Sequence, residues 1–389
     1  MSDLCVIVGI VDVVNMRNAE PFGTRVAVYT DRELLPVALR AAAGRNIAVI
    51  MRDQSEAKLI RRTLGEDHRT TVILDPGRWR HHQATSRRPL ELPLRGLLDA
   101  ATKRSTHVDL ASWASSYRHS STADAVFTPS RFIAAEDWQA LRALRRALAD
   151  ALTPDDRTIG LISTHASMLN PGVVKRFMRE LEPLAHLRLG FVFAGGRAAL
   201  AHCNRTDGLR RVLTAHQGAW LLGVDALIAT DALCAGAGMV GIGIRSGMRW
   251  PAAPGNKSNT PFARQGIPGR FHLDLLTYRN PLTYADWYLD SIPAACGVCG
   301  WPPDRYTPTP EGTHAIHEHN VHAAAAWCEE LLEVQEDKRI DWLSTERVQA
   351  GDRYHDLDPS RCDVKVDPML EALIKRDNPG WQAPVFSEP

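Results

Sequence analysis

What the chain lacks narrows its class before any motif is read. No apolar run is long enough to span a bilayer: Leu4 to Val14 falls short of the roughly 20 residues a spanning helix needs, and it carries Asp12. No N-terminal stretch joins a basic region to an apolar one and a cleavage site, and the seven cysteines form no short repeating framework. A reducing cytoplasm is therefore expected rather than a secreted, disulfide-stapled domain. Charge of one sign is also missing. A formal net charge of +1 gives no global attraction to nucleic acid, so any such binding has to come from a local patch. No internal repeat is evident, and no Gly-x-Gly-x-x-Gly opens a helix after the first strand, which lowers a Rossmann reading.

What is present suits an enzyme-sized globular chain. With 389 residues, 44% of them hydrophobic, it can bury a large core and has length for one barrel of about 250 residues plus an appended module. Short apolar strands are predicted at Arg25 to Tyr29, Asn46 to Met51, Thr71 to Leu74, Ala125 to Thr128, Thr158 to Ser163, Leu187 to Phe193, Ala219 to Val224, Met239 to Ile244 and Phe271 to Leu276. Helices fall between them at Arg32 to Ala43, Ser55 to Leu64, Trp138 to Leu152, Val173 to Leu181, Leu209 to Ala215 and Ala226 to Ala235. Alternation of this kind is the pattern of a parallel sheet covered on both faces, and about eight such units favour a closed (β/α)8 barrel over an open sheet. The barrel is expected over 1–290, a metal clip and helix over 291–335, and a charged, partly ordered extension over 336–389. Residues 76–122 interrupt the rhythm with a basic insertion that holds one amphipathic piece, Leu92 to Ala101.

Cys296 and Cys299 lie on a Gly-containing turn that lets both sulfurs face one point about 2.3 Å away, the distance zinc prefers. His314, His317, His319 and His322 follow on the start of a helix, so at least one imidazole can close the site. A redox dithiol and cysteines without any ligand are the competing readings; redox pairs sit at a helix N-terminus, whereas here Pro302 and Pro303 follow.

At the predicted mouth, Asp75 ends a strand before Pro76-Gly77, where it is either a catalytic carboxylate or a turn cap. No acidic residue lies between Asp75 and Glu91, while Arg78, Arg80, Arg87 and Arg88 crowd around Trp79, a run able to neutralise phosphates and stack a base or simply to be solvated. Asp225 is the second strand-end carboxylate, catalytic or capping the next helix. His165, with Ser167 beside it, is a pocket-lining candidate. Arg245 and Ser246, set among Gly241, Gly243 and Gly247, are candidates for a phosphate site unless the glycines only mark close packing. Together Asp75 and Asp225 would supply the two carboxylates that glycosyl chemistry uses.

The order of these features resembles the queuine and archaeosine tRNA-guanine transglycosylase superfamily, including its DNA-modifying relatives that insert 7-deazaguanine. Leu74-Asp75-Pro76-Gly77-Arg78 resembles the family's Asp-Ser-Gly-Gly-Phe, and Leu221-Leu-Gly-Val, a helix, then Ala235-Gly-Ala-Gly-Met-Val resembles its Leu-Met-Gly-Val and Gly-x-Asp-Met-Phe-Asp-Cys. Cys296-Gly-Val-Cys299 and His319-Asn320 resemble the end of its Cys-x-Cys-x-x-Cys and its zinc-binding His-Asn. The likeness covers Arg25 to Leu332 in short, degenerate pieces.

The resemblance implies a zinc-carrying barrel with Cys296, Cys299 and His319 as ligands, a fourth ligand drawn from another histidine, Cys328, a remote cysteine or water, and exchange of guanine or a 7-deazaguanine in tRNA or DNA. Three departures go with it: Gly241 stands where the family has its nucleophilic Asp, Ala294 where it has its first zinc Cys, and Ala125 to Thr128 ends without its base-reading carboxylate. Hence three expectations remain: a divergent base-exchanging enzyme using Asp75 and Asp225; a noncatalytic nucleic-acid-binding subunit, a homodimer or a partner like the family's inactive halves; and an unrelated phosphate-binding barrel enzyme using Arg245.

Overall fold

In the computed structural model, the described residues are 23, 25–52, 70–92, 109–121, 123–154, 157–197, 199–255, 267–288, 295–297, 299–302, 308–360 and 362–385. Eight parallel strands close into a barrel in chain order: β1 (Val26–Thr30), β2 (Ile47–Arg52), β3 (Val72–Asp75), β4 (Ala125–Phe127), β5 (Thr158–His165), β6 (Leu189–Ala194), β7 (Trp220–Val224) and β8 (Met239–Gly243), which pairs back onto β1. The expected (β/α)8 barrel is the fold. Nearly every strand residue is buried because helices cover the outside while side chains fill the inside. Filling is by complementary size: a Cβ on Gly190 of β6 would lie 2.6 Å from the ring of Phe127 on β4, and that ring meets Trp220 of β7 edge to face at 5.7 Å.

The outer layer comprises α1 (Leu35–Ala42), α2 (Leu110–Ser121), α3 (Trp138–Ala151), α4 (Pro171–Leu181), α5 (Cys203–Ala215) and α6 (Ala226–Cys234). Local chemistry starts them where expected. Asp137 caps α3 by accepting from the Ala140 N–H at 2.9 Å, and Asn170-Pro171 opens α4. The α2 segment, which the sequence reading assigns to an insertion, is the crossover helix between β3 and β4. The expected helix Ser55 to Leu64 and most of the piece Leu92 to Ala101 lie outside the described residues.

After β8 come the single turn α7 (Ser246–Arg249), an antiparallel hairpin of β9 (Arg270–His272) and β10 (Thr277–Arg279), α8 (Pro281–Trp287) and the long α9 (Pro310–Glu333). The strand expected over Phe271 to Leu276 is therefore corrected. Only its start is extended, and residues 273–276 turn back through Leu276 at φ +46°, so the segment pairs with itself outside the barrel. Helix α9 packs against both α1 and α6 and so completes the outer helical layer.

Beyond it, α10 (Arg339–Asp352) and α11 (Pro368–Asp377) pack on α6 and α5. Fully buried Arg347 donates to Asp231 of α6 at 2.9 Å, and Arg210 of α5 holds Asp231 and Asp377. The charged extension is thus fastened to the barrel, because its charges pair inward. No helix among the described residues is long and apolar enough to cross a membrane.

Candidate metal centre and barrel mouth

The loop that carries the two cysteines is tight. Cys296 N–H donates to Trp301 O at 3.1 Å, Gly300 N–H donates to Cys296 O at 2.8 Å, and Gly300 adopts φ +68°, which glycine permits without steric cost. His319 and His322, three apart, share one face of α9. Cys299 Sγ lies 3.4 Å from His319 Nδ1, Cys296 Sγ lies 3.7 Å from His322 Nε2, and all four ligand atoms fall within 4.8 Å of one another. A tetrahedral ion with bonds of about 2.3 Å to sulfur and 2.0 Å to nitrogen puts neighbouring N and S atoms roughly 3.5 Å apart, so the donor set could hold a metal ion.

His319 is oriented for this role. Its Nε2 faces Phe271 O at 2.8 Å, which places the proton there and leaves the Nδ1 lone pair toward the sulfurs. Burial also pushes the His319 pKa down, favouring the neutral ring, and pushes the Cys299 thiol up, so metal binding must expel protons. Asn320 accepts from Phe271 N–H at 2.6 Å and donates to Gly269 O at 2.9 Å, fixing β9 beside the site. The fourth donor of this cluster, left open by the sequence, is His322. Cys328 is fully buried along α9 with its thiol pushed up, and His317 Nδ1 faces Ile244 O at 3.1 Å.

At the mouth, Asp75 is fully buried and both oxygens are engaged. Oδ1 accepts from Gly77 N–H at 2.8 Å, and Oδ2 accepts from Tyr29 Oη at 2.5 Å and Trp79 Nε1 at 3.2 Å. Burial and the Asp75 carboxylate push the Tyr29 hydroxyl well up, so it stays a donor. Trp79 is itself buried, which corrects its expected role as a stacking surface: its indole serves Asp75. The resulting turn, with Gly77 at φ +63°, carries Arg78 and Arg80.

Around them Asp31 lies 3.5 Å from Arg52 and 3.6 Å from Arg245, and Arg245 also pairs with Glu33 at 2.7 Å. Burial first and Arg52 second pull the Arg80 pKa down, and Arg80 makes no ion pair among the described residues. Arg87 and Arg88 are exposed farther along the same segment.

The remaining candidates are dispersed. Asp225, directly after β7 and thus across the ring from β3, caps α6 by accepting from Ile228 N–H at 3.0 Å and accepts from Trp250 Nε1 at 2.9 Å. Asp75 and Asp225 share no hydrogen-bond partner, each being held by its own set of donors. Burial pushes the Asp225 carboxyl up, and Asp225 lines a cavity of about 520 Å³ with Arg197, Trp250, Arg279 and Asp367.

His165 ends β5 with Nδ1 2.8 Å from Ser167 Oγ and 3.2 Å from Ser167 N, a turn-capping arrangement, and burial pushes its pKa down. Ser246 begins only the single turn α7. The glycines near it serve packing: a Cβ on Gly243 would lie 2.3 Å from Arg249 N, and one on Gly241 would lie 2.9 Å from Leu222 and 3.2 Å from Ile50. Sequence reasoning names His322 only as one of four candidate imidazoles and Asn320 only through the resemblance, although the His-x-x-His spacing on a helix is a usable signal.

No protein-family model matches this sequence, and no curated protein matches it.

Proposed function

We propose that this chain is a zinc-braced, transglycosylase-like barrel that binds nucleic acid by seating one guanine-type nucleotide at its mouth, without exchanging the base. The observation that carries the reading is Arg80, a half-buried guanidinium beside Arg52 that makes no ion pair among the described residues, Asp75 and Asp31 acting on it only through space. Asp75 is occupied by three neutral donors and Asp31 faces Arg52 and Arg245, so Arg80 suits an incoming phosphate. Four protein ligands of this kind fit zinc in a closed, structural site. Bound there, the ion would tie the cysteine loop to α9 and so to the closed ring.

Exchange through a sugar–carboxylate intermediate needs an oxygen able to attack the sugar. Both oxygens of Asp75 are engaged, and the place of the family's nucleophile, Gly241, is packed by Ile50 and Leu222. A second reading, base exchange, is favoured by Asp225, a buried acid pushed toward its protonated form in a cavity wall and so able to protonate a leaving base.

Zinc-loaded protein incubated with labelled guanine and either tRNA or duplex DNA separates the two. Binding without incorporation is expected, and Arg80→Ala should weaken guanosine monophosphate binding about tenfold or more. Incorporation that disappears in Asp225→Asn would establish the second reading instead. Unchanged nucleotide binding in Arg80→Ala would remove the basis of the first.

A further inference from the structure

The basic segment that leaves the mouth does not end in solvent. After Arg80 it forms a tight turn, in which Thr85 N–H donates to Arg88 O at 3.3 Å, and Arg88 N–H donates to Thr85 O at 3.2 Å and to Thr85 Oγ1 at 3.1 Å. Both flanks of this turn are tied to the chain that leads into α3. Ala84 N–H donates to Phe132 O at 2.7 Å, Phe132 N–H to His82 O at 2.9 Å, Arg131 N–H to Pro89 O at 3.0 Å and Glu91 N–H to Pro129 O at 2.8 Å. The Arg131–Glu91 ion pair adds a further tie at the base.

Between turn and helix lies a groove of about 450 Å³, lined by Ser86, Pro89, Gln139, Arg142, Ala143 and Arg146, with no carboxylate in its wall. Arg142 is steadied by Trp138 O at 3.1 Å and stands 3.8 Å from Glu180, which approaches Arg145 more closely, at 3.0 Å. Arg146 on the groove wall, and Arg87 and Arg88 at the turn, are exposed and make no ion pair among the described residues.

We infer that this groove is a second contact for a nucleic-acid backbone, which leaves the mouth over the rim at β3 and β4 and runs between the turn and α3. The inference rests on the proposed binding of a nucleotide at the mouth and extends it from one nucleotide to a polymer. Unpaired guanidinia on a backbone held rigid by its own hydrogen bonds, with hydroxyl and amide side chains between them, match phosphates and sugar and carry no base reading. The six residue steps from Arg80 to Ser86 reach at most about 20 Å, so a strand advancing about 3.4 Å per nucleotide touches both places within roughly six nucleotides.

Equilibrium binding of guanosine monophosphate and of a 12-nucleotide single strand, as RNA and as DNA, tests this between 50 and 200 mM salt. The proteins compared are wild type, Arg146→Ala, Arg87→Ala/Arg88→Ala and the triple variant, all altered at exposed positions. The triple variant should bind the 12-mer about tenfold more weakly or worse, with a salt slope shallower by about 0.7 for each phosphate that is no longer neutralised, while mononucleotide binding is unchanged.

If 12-mer affinity and slope stay at wild-type values while the mononucleotide still binds, the groove assignment is overturned and the mouth reading stands. A groove-dependent 12-mer with no mononucleotide binding would support the groove and overturn the mouth reading. Displacement of the 12-mer by polyglutamate at equal charge would also overturn the assignment, since it would make the groove a surface for any polyanion.

Discussion

Asp75 receives three donors from three places in the chain: a tyrosine on β1, a glycine amide two residues on and a tryptophan four residues on. Its work is to hold the turn that presents Arg80, so it is a positioning residue. Asp75→Ala would strand those donors in a buried site, and a loss of about 3 kcal/mol or more in unfolding free energy is expected, with Asp75→Asn milder because one acceptor oxygen survives. Urea denaturation of both variants checks this, and a wild-type midpoint for Asp75→Ala would contradict the role. The candidate metal cluster supports a second prediction for single side chains. Replacing His322 by Ala should greatly weaken zinc binding in competition with a chromophoric chelator, whereas Cys328→Ser should leave zinc affinity as it was, because that thiol lies away from the cluster. That Asp75 ends a strand is readable from its neighbours in sequence. That it is saturated is not, because Tyr29 is brought to it by strand pairing around the barrel.

Among elements, α9 and the two helices after it bear the most. Helix α9 presents two candidate metal ligands on one face and closes the outer helical layer between α1 and α6 with the rest, so its apolar and histidine positions follow no single amphipathic stripe. Helices α10 and α11 are fastened through Arg347, Arg210, Asp231 and Asp377. Burial pushes the Asp231 carboxyl up, but Arg347 and Arg210 outweigh it and hold the group below its ordinary range. Stability from this cluster is therefore present above the unfolded carboxylate pKa and is lost as pH falls below it. Arg347→Ala should cost about 3 to 5 kcal/mol by leaving Asp231 partly uncompensated, and Arg347→Met distinctly less. Thermal unfolding of the two variants decides it, and equal losses would mean that the charge pairing is not what matters. From sequence the region reads as a loosely held tail, since charged residues ordinarily stay in solvent and their partners on α5 and α6 are more than a hundred positions away.

For the whole molecule, the acid side of the stability curve follows from groups that refuse protons when folded. Burial pushes His216 down, and burial pushes His272 well down with Arg270 adding to it. Unfolding lets both take protons, so stability should be flat above about pH 7.5 and fall as pH drops through 6.5, by at most about 1.4 kcal/mol per pH unit for each proton excluded. Asp225 acts with the opposite sign, because a carboxyl pKa raised by burial favours the folded state as the group becomes protonated. Melting curves of chelator-treated protein from pH 8 to 5.5 check the sign, and His216→Leu should flatten the slope. Adding zinc at pH 7.5 should raise the melting temperature, as any ligand of the folded state does.

Taken alone, the sequence determined the periodic alternation of strand and helix, hence the barrel, and placed two thiols and a set of helical imidazoles close enough along the chain to converge. Both are local properties, governed by neighbours a few residues apart. Which histidine completes the cluster, which carboxylates are already saturated, that Trp79 faces inward and that a charged tail binds the barrel were decided only when residues distant in the chain met across a closed ring. Hydrogen bonds and ion pairs between such residues depend on three-dimensional proximity, which the chain order does not encode position by position.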